Sequence, residues 1–380
     1  MKILITTDLY ATATNGVVTS VQNLTEELRQ KGHDVRILTI SDKSKSYRDG
    51  LIYYIRSMPI GVYPDLRMPT SYRHHLIKDL IDWKPDIIHS QCEFFSFQFA
   101  LRISKMTRAP IVHTYHTLYE QYVTYVIPFK SLGRYLVRVL SRKRLKRVQT
   151  IVASTHKVEN TLIGYGIDNP IYVVPSGISM THHKMRITPE ERAKKRKALG
   201  ISDHQPVLIN LGRLGAEKNL EELLVFFSSA LKINNNMVFL IVGDGPARTQ
   251  LQELSKSLGI SNQVIFTGMV SPKDVPTYYQ IGDMFVSASI SETQGLTYIE
   301  AAANGLPLLC RKDTCLDNVI NHGENGYIYT CEEEFLNGIN AFFENPEWRI
   351  SAGKKSEKIA GAFDTKTFGT AIETIYESIL

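Results

Sequence analysis

Short aliphatic, β-branched runs alternate with helix-length stretches along almost the whole chain, and this alternation restricts the fold more than any other feature. Lys2 to Thr6 (Lys-Ile-Leu-Ile-Thr) has no polar alternation, the pattern of a parallel strand buried on both faces. Asn15-Gly16 makes a turn into a helix that runs through Lys31 and closes at Gly32. Strands follow at His33 to Ile40, Asp86 to His89, Pro110 to Thr114 and Thr150 to Ala153. A second series begins at Val207 and continues through Leu240 to Val242, Val264 to Phe266 and Asp283 to Ala288. Such alternation specifies a doubly wound α/β sheet, with ligands gathering at the strand C-terminal ends. At 380 residues the chain exceeds one ordinary core and fits two such domains.

The net charge of +6 hides an asymmetry. Residues 1–178 hold 24 Lys/Arg against 14 Asp/Glu, whereas 179–380 hold 20 against 24, so only the first half presents itself to an anionic surface. Cys92, Cys310, Cys315 and Cys331 have neither CxxC spacing nor the density of a disulfide-stapled domain, which indicates a reducing cytosol. The N-terminus reaches Asp8 too soon for a signal peptide, and no apolar run approaches the length of a membrane span. The expectation is a cytoplasmic protein that at most lies on a membrane.

Chemistry concentrates in Ser287 to Pro307. Asp283 to Ala288 is a strand and Leu296 to Asn304 a helix closed by Gly305, so Glu292 falls in the strand-to-helix loop and Glu300 within the helix. Gly295 lets the backbone pass close to a ligand, and the amides of Gln294 to Thr297 open the helix with a positive dipole end, an anion site. The carboxylates beside it repel phosphate but accept from sugar hydroxyls. Arg213 and Lys218, five apart in Gly-Arg-Leu-Gly-Ala-Glu-Lys-Asn between a strand and the helix Leu220 to Leu231, are placed to meet one diphosphate. Each such charge-assisted hydrogen bond contributes roughly 1.5–3 kcal/mol. Asn15-Gly16 follows the first strand, and Gly243-Asp244-Gly245-Pro246 follows another, so both turns allow close backbone approach. His116 ends the strand segment His113 to Thr117, the usual position of a site residue, while His113 reads as core.

The spacing Glu, seven residues, Glu, inside Ser-Glu-Thr-x-Gly-Leu and ahead of Gly-Leu-Pro, resembles the donor site of the retaining glycosyltransferases of family 4. Those enzymes have the GT-B architecture, and the resemblance implies two doubly wound Rossmann-like domains facing across a cleft. Residues 1–178 would form the acceptor-facing domain, 179–203 a charged linker helix and 204–361 the nucleotide-sugar domain, with a helix at about 362–380 crossing back. The resemblance implies that Glu292 contacts donor-sugar hydroxyls, Glu300 the nucleotide ribose, and the amides of Thr293, Gln294, Gly295 and Leu296 the sugar and diphosphate. It further implies that Asn15 and Gly16 face the diphosphate, that Gly243 belongs to the family's Gly-x-Gly-Pro, and that Arg213 and Lys218 stabilise the departing diphosphate. His116, in Tyr-His-Thr, would touch the donor sugar at the reacting carbon. His116, Glu292, Arg213 and Lys218 thus form the expected catalytic set.

Pro128 to Thr150 holds Lys130, Arg134, Arg138, Arg142, Lys143, Arg144, Lys146 and Arg147 with no acid among them. Interleaved at three- and four-residue steps are Phe129, Leu132, Tyr135, Leu136, Val139 and Leu140. Three readings stay open: a solvated basic face with a core stripe, a nucleic-acid patch, and an interfacial helix on anionic lipid. No RNA-binding module accompanies the patch, so no nucleic-acid partner is expected, whereas each Lys or Arg near an anionic leaflet contributes about 1 kcal/mol. The aromatic segment Tyr115 to Val126, the form Ser-Glu-Thr-Gln-Gly-Leu-Thr-Tyr-Ile-Glu and Arg311-Lys312-Asp313 resemble the family 4 subgroup that puts glucose on diacylglycerol. That resemblance implies a UDP-sugar donor, a lipid acceptor, an anionic membrane surface and association with the inner face of the plasma membrane. Other acceptors, soluble or polysaccharide, remain open, as do a UDP-sugar epimerase and a non-catalytic sugar-nucleotide sensor. No Asp-x-Asp occurs, so neither a metal nor another cofactor is expected, Arg213, Lys218 and helix dipoles replacing the cation.

Overall fold

A computed structural model describes residues 1–10, 15–60, 67–122 and 129–380. The chain divides into two compact units, Met1–Gly177 with Thr365–Leu380, and Ile178–Asp364.

The first unit contains β1 (Lys2–Thr7), α1 (Gly16–Gln30), β2 (Asp34–Ser41), β3 (Tyr47–Asp49), β4 (Ile52–Pro59), β5 (Arg67–Pro69), α2 (His75–Trp83), β6 (Ile87–Ser90) and α3 (Phe95–Thr107). It continues with β7 (Ile111–Tyr115), α4 (Tyr119–Tyr122), α5 (Lys130–Leu145), β8 (Thr150–Ala153), α6 (His156–Gly164) and β9 (Ile171–Val173). The strand order is β3-β4-β2-β1-β6-β7-β8-β9, parallel from β4 to β9. Among the described residues only β3 and β5, each paired to β4, run antiparallel.

Strand alternation assigns side chains to two cores. Ile3, Ile5, Ile37, Ile87 and Val112 face one layer, which includes Val21, Leu24 and Leu28 of α1. Leu4, Leu38, Ile88, Ile111 and Ile151 face the other, which includes Phe97, Phe99 and Ile103 of α3. Asn15 starts α1 by accepting from the Val18 amide at 3.0 Å, an N-cap that fixes where the chain turns after β1.

The second unit holds α7 (Met180–Lys184), α8 (Pro189–Ala198), β10 (Val207–Leu211), α9 (Leu220–Ala230), β11 (Val238–Val242), α10 (Arg248–Ser257), β12 (Val264–Phe266), α11 (Val275–Ile281) and β13 (Met284–Ser287). It ends with α12 (Leu296–Ala303), β14 (Leu308–Arg311), β15 (Gly326–Tyr329), α13 (Glu332–Glu344) and α14 (Pro346–Ala360). All its strands are parallel, in the order β12-β11-β10-β13-β14-β15. By position along the chain this is 3-2-1-4-5-6, the dinucleotide-binding order, with its switch point between β10 and β13.

The segment 179–203, expected to be a linker, is integral to this unit. Arg196 of α8 is 1% exposed and donates to the carbonyls of Ile281, Asp203 and Gln205 and to Asp283. The last helix, α15 (Thr365–Ile379), belongs to the first unit and lays Phe368, Ile372 and Ile375 into the α1 layer. Gly369 permits that contact, because a Cβ there would lie 2.2 Å from the Glu27 side chain.

Candidate functional site

Two clusters of polar residues form, one in each unit, and both sit where strand order reverses. In the second unit β10 runs into Gly212-Arg213, and β13 runs into the loop carrying Glu292. Gly212 and Gly243 adopt φ of +150° and +131°. A Cβ on Gly243 would lie 1.9 Å from the Gly212 carbonyl oxygen, so the turns after β10 and β11 pack backbone to backbone.

Lys218 donates to Oε1 of Glu292, which also accepts from Ser289 Oγ at 2.9 Å. Arg213 donates to Glu217 Oε1 at 2.6 Å. The Glu217 carbonyl in turn accepts from Ser291 Oγ at 3.2 Å, which ties the loop after β10 to the loop after β13. Arg213 and Lys218 lie between β10 and α9, each paired with a carboxylate. Gly295, at φ +72°, turns the chain into α12 without a side-chain cap among the described residues. Gln294 is buried. On α12, Glu300 accepts from the Tyr279 hydroxyl at 2.9 Å, and burial raises its carboxyl above the usual range despite that bond.

The first unit reverses between β1 and β6. His116, one residue beyond β7, presents Nε2 to Gln91 Oε1 at 2.7 Å. Burial, with a smaller contribution from His113, pushes the His116 imidazole down to about 3 and keeps it neutral. Asn15 and Gly16 open α1 after β1 at the same C-terminal edge of the sheet. His113 is core: it is fully buried, its Nε2 3.1 Å from Glu93 Oε1, whose second oxygen accepts from the Tyr119 hydroxyl. Asp8 follows β1 and accepts from the Ser96 amide at 2.6 Å. Burial lifts its carboxyl to about 6.

Gln91, Glu93, Asp8, Glu217 and Ser289 escape sequence reasoning. Gln91, Glu93, Asp8 and Ser289 carry a readable signal, their position just past a strand that ends at a switch point.

On α5 the expected stripe turns outward. The helix packs through Gly133, Val137, Ser141 and Leu145, four residues apart. Phe129, Leu132, Tyr135, Val139 and Leu140 are 42–69% exposed, and Leu136 is half-buried. Arg134, Arg138, Lys143, Lys146 and Arg147 are exposed around them. Arg142 is exposed and lies along Gly166, while Arg144 stacks over Phe94 at 5.7 Å. The Lys130 side chain and the aromatic stretch 123–126 lie outside the described residues. Among the described residues no helix is long and apolar enough to cross a membrane, and no group of His, Cys, Asp and Glu converges to hold a metal ion.

Two parallel-sheet units of this topology, with cations and carboxylates at a strand switch point, have the GT-B architecture. An Anabaena protein solved in complex with UDP-glucose has the same fold: TM-score 0.78, 18% identity, 100% of both chains covered. A lipopolysaccharide-biosynthesis glycosyltransferase superposes with TM-score 0.73 and 15% identity, covering 98% of this chain and 99% of that one. Residues 14–182 match Glycosyltransferase Family 4, and residues 191–359 match Glycosyl transferases group 1. An alpha-monoglucosyldiacylglycerol synthase of Streptococcus pneumoniae is 33% identical over 99% of this chain and 85% of its own length. One of Acholeplasma laidlawii is 30% identical over 100% and 98%. The chain belongs to this glycosyltransferase family, in which a family 4 domain precedes a group 1 domain.

Proposed function

We propose that this glycosyltransferase transfers glucose from UDP-glucose to diacylglycerol at an anionic membrane surface, giving the α-glycoside. The observation that carries the lipid acceptor is α5, whose apolar side chains are exposed beside unopposed cations. An interfacial helix has this arrangement, apolar residues entering the acyl boundary while Lys and Arg meet anionic headgroups. A core stripe would be covered. The names of the two full-length relatives agree with this reading.

In this proposal Arg213 and Lys218 exchange their carboxylate partners for the diphosphate, joined by the amides of Thr293, Gln294, Gly295 and Leu296 and by the turns at Asn15-Gly16 and Gly243. Glu292 and His116 hold the hexose, and Glu300 the ribose. The bond from C1 to the phosphate oxygen breaks, the acceptor oxygen bonds C1 on the same face, and the acceptor proton passes to the departing phosphate. The cations and helix N-terminus balance the developing charge without a divalent ion. The protein then works from the cytoplasmic face of the plasma membrane, bound peripherally through Lys130, Arg134, Arg138, Arg142, Lys143, Arg144, Lys146 and Arg147.

Incubating labelled UDP-glucose with diacylglycerol in anionic vesicles, with EDTA present, tests the whole reading. An α-anomeric product by proton NMR is expected. A β product, transfer only to soluble acceptors, or turnover without acceptor refutes it. Replacing Arg138, Arg142, Lys143 and Arg147 with Ser is expected to release the protein from sedimenting vesicles while UDP affinity stays constant.

A further inference from the structure

We propose that Gln91 sets the tautomer and aim of His116 and offers its own amide N–H to a hydroxyl of the donor hexose. The inference rests on the donor reading above and adds a residue to it.

Gln91 is 2% exposed and lies immediately after β6, where its own amide donates to the Thr6 carbonyl at 2.8 Å. That bond extends the β1–β6 ladder by one residue, so the Gln91 backbone is fixed at the switch point of the first sheet. Its Oε1 lies 2.7 Å from His116 Nε2. An amide oxygen cannot donate, so the imidazole proton resides on Nε2 and Nδ1 carries the lone pair. Burial keeps the ring from taking a second proton near neutral pH.

The other half of the amide is unpaired. Gln91 Nε2 is buried without a hydrogen-bond partner among the described residues. In the layer beneath it His89 is paired at both ring nitrogens: the Tyr376 hydroxyl bonds Nδ1 at 2.6 Å, and Nε2 bonds Thr114 Oγ1 at 2.7 Å. A buried amide donor left open beside a doubly bonded histidine, and at a strand edge where α/β sheets take ligands, is a place for a ligand oxygen. An amide N–H is neutral and suits a hydroxyl, whereas a phosphate is better met by a cation. The hexose is the hydroxyl-bearing part of the donor that His116 touches.

Three measurements on the full chain decide this. In protein carrying 15N-labelled histidine, His116 should report the Nε2–H tautomer, and Gln91→Met should redistribute it toward a mixture. The same variant should lower kcat/KM for UDP-glucose about 10- to 100-fold while the Kd for UDP, which has no hexose, stays within about twofold. Gln91→Glu keeps the acceptor and loses the donor; it should retain Nε2–H and raise the His116 pKa by more than about one unit through the added negative charge. An Nδ1–H tautomer in the native protein, an unchanged kcat/KM in Gln91→Met, or equal losses for UDP and UDP-glucose overturns the proposal. Should the native protein bind no UDP-glucose at all, the donor reading fails instead, and the tautomer measurement alone still tests whether Gln91 governs His116.

Discussion

Asp8→Asn isolates the strain of one buried carboxylate. Asp8 Oδ1 accepts from the Ser96 amide, while Oδ2 is buried with no partner among the described residues. Burial, opposed by the Ser96 amide and reinforced by Glu93, raises the carboxyl from 3.8 to about 6. A carboxyl whose folded pKa exceeds its unfolded value contributes stability below the unfolded pKa and loses it as pH rises through the folded one. The window therefore runs from about pH 4 to pH 6, and across it the native protein loses about 2–3 kcal/mol that the Asn variant, with nothing to ionise, keeps. Asn preserves the Oδ1 acceptor, and whatever its new amide gains or costs is the same at every pH. The buried histidines His89 and His116, both held below their usual range, destabilise the fold at acid pH but cancel between variant and parent. Denaturant titrations at pH 4.5 and pH 8 should show the variant gaining on the parent by that amount at the higher pH. An equal difference at both pH values, or a gain at the lower one, would refute the burial argument.

Lys218→Ala and Arg213→Ala should each weaken UDP binding about 10- to 100-fold, the cost of roughly 1.5–3 kcal/mol for a lost charge-assisted bond. Calorimetry reads this directly, and retained affinity would dissociate these side chains from the diphosphate. Gly243→Ala should yield little folded protein or lose about 3 kcal/mol or more, because the new methyl meets the Gly212 carbonyl and the φ of +131° is strained for any L side chain. A melting temperature within a few degrees of the parent would show that the two turns can part.

The alternating order of strand and helix was legible because unbroken apolar runs mark strands covered on both faces, as Ile3 and Leu4 in opposite cores are, whereas which strand pairs with which was not. The strand-end positions of Glu292, Arg213 and His116 followed from that order. What stayed hidden is whatever depends on facing partners. Periodicity on α5 identified its apolar positions but could not tell which face is covered, and the covered one is drawn by Gly133, Ser141 and Leu145. The charged run in α8 reads as solvated, yet Arg196 is buried because Asp203 and Gln205 just past α8 and Ile281 and Asp283 from a distant segment converge on it. Gln91 offers no motif either. Its meaning lies in one bond made and one left open.

The pairing of Lys218 with Glu292 leads to a prediction that separates binding from transfer. Without donor, the carboxylate occupies a cation that the diphosphate needs, and Ser289 donates to the same carboxylate oxygen. Diphosphate binding must therefore displace one anion by another, so part of the Coulomb attraction is spent before the ligand arrives. Glu292→Gln removes the competing charge but keeps the side chain's volume and one acceptor oxygen. UDP, which has no sugar to lose contact with, should bind about 3- to 10-fold tighter, equivalent to roughly 1 kcal/mol at the partly exposed pair. Turnover of UDP-glucose should move the other way, because a neutral amide is a weaker acceptor for hexose hydroxyls than a carboxylate. Opposite signs for UDP affinity and kcat are the signature of one carboxylate serving both the resting cation and the sugar; a loss of both together would mean that Glu292 only holds the loop in shape.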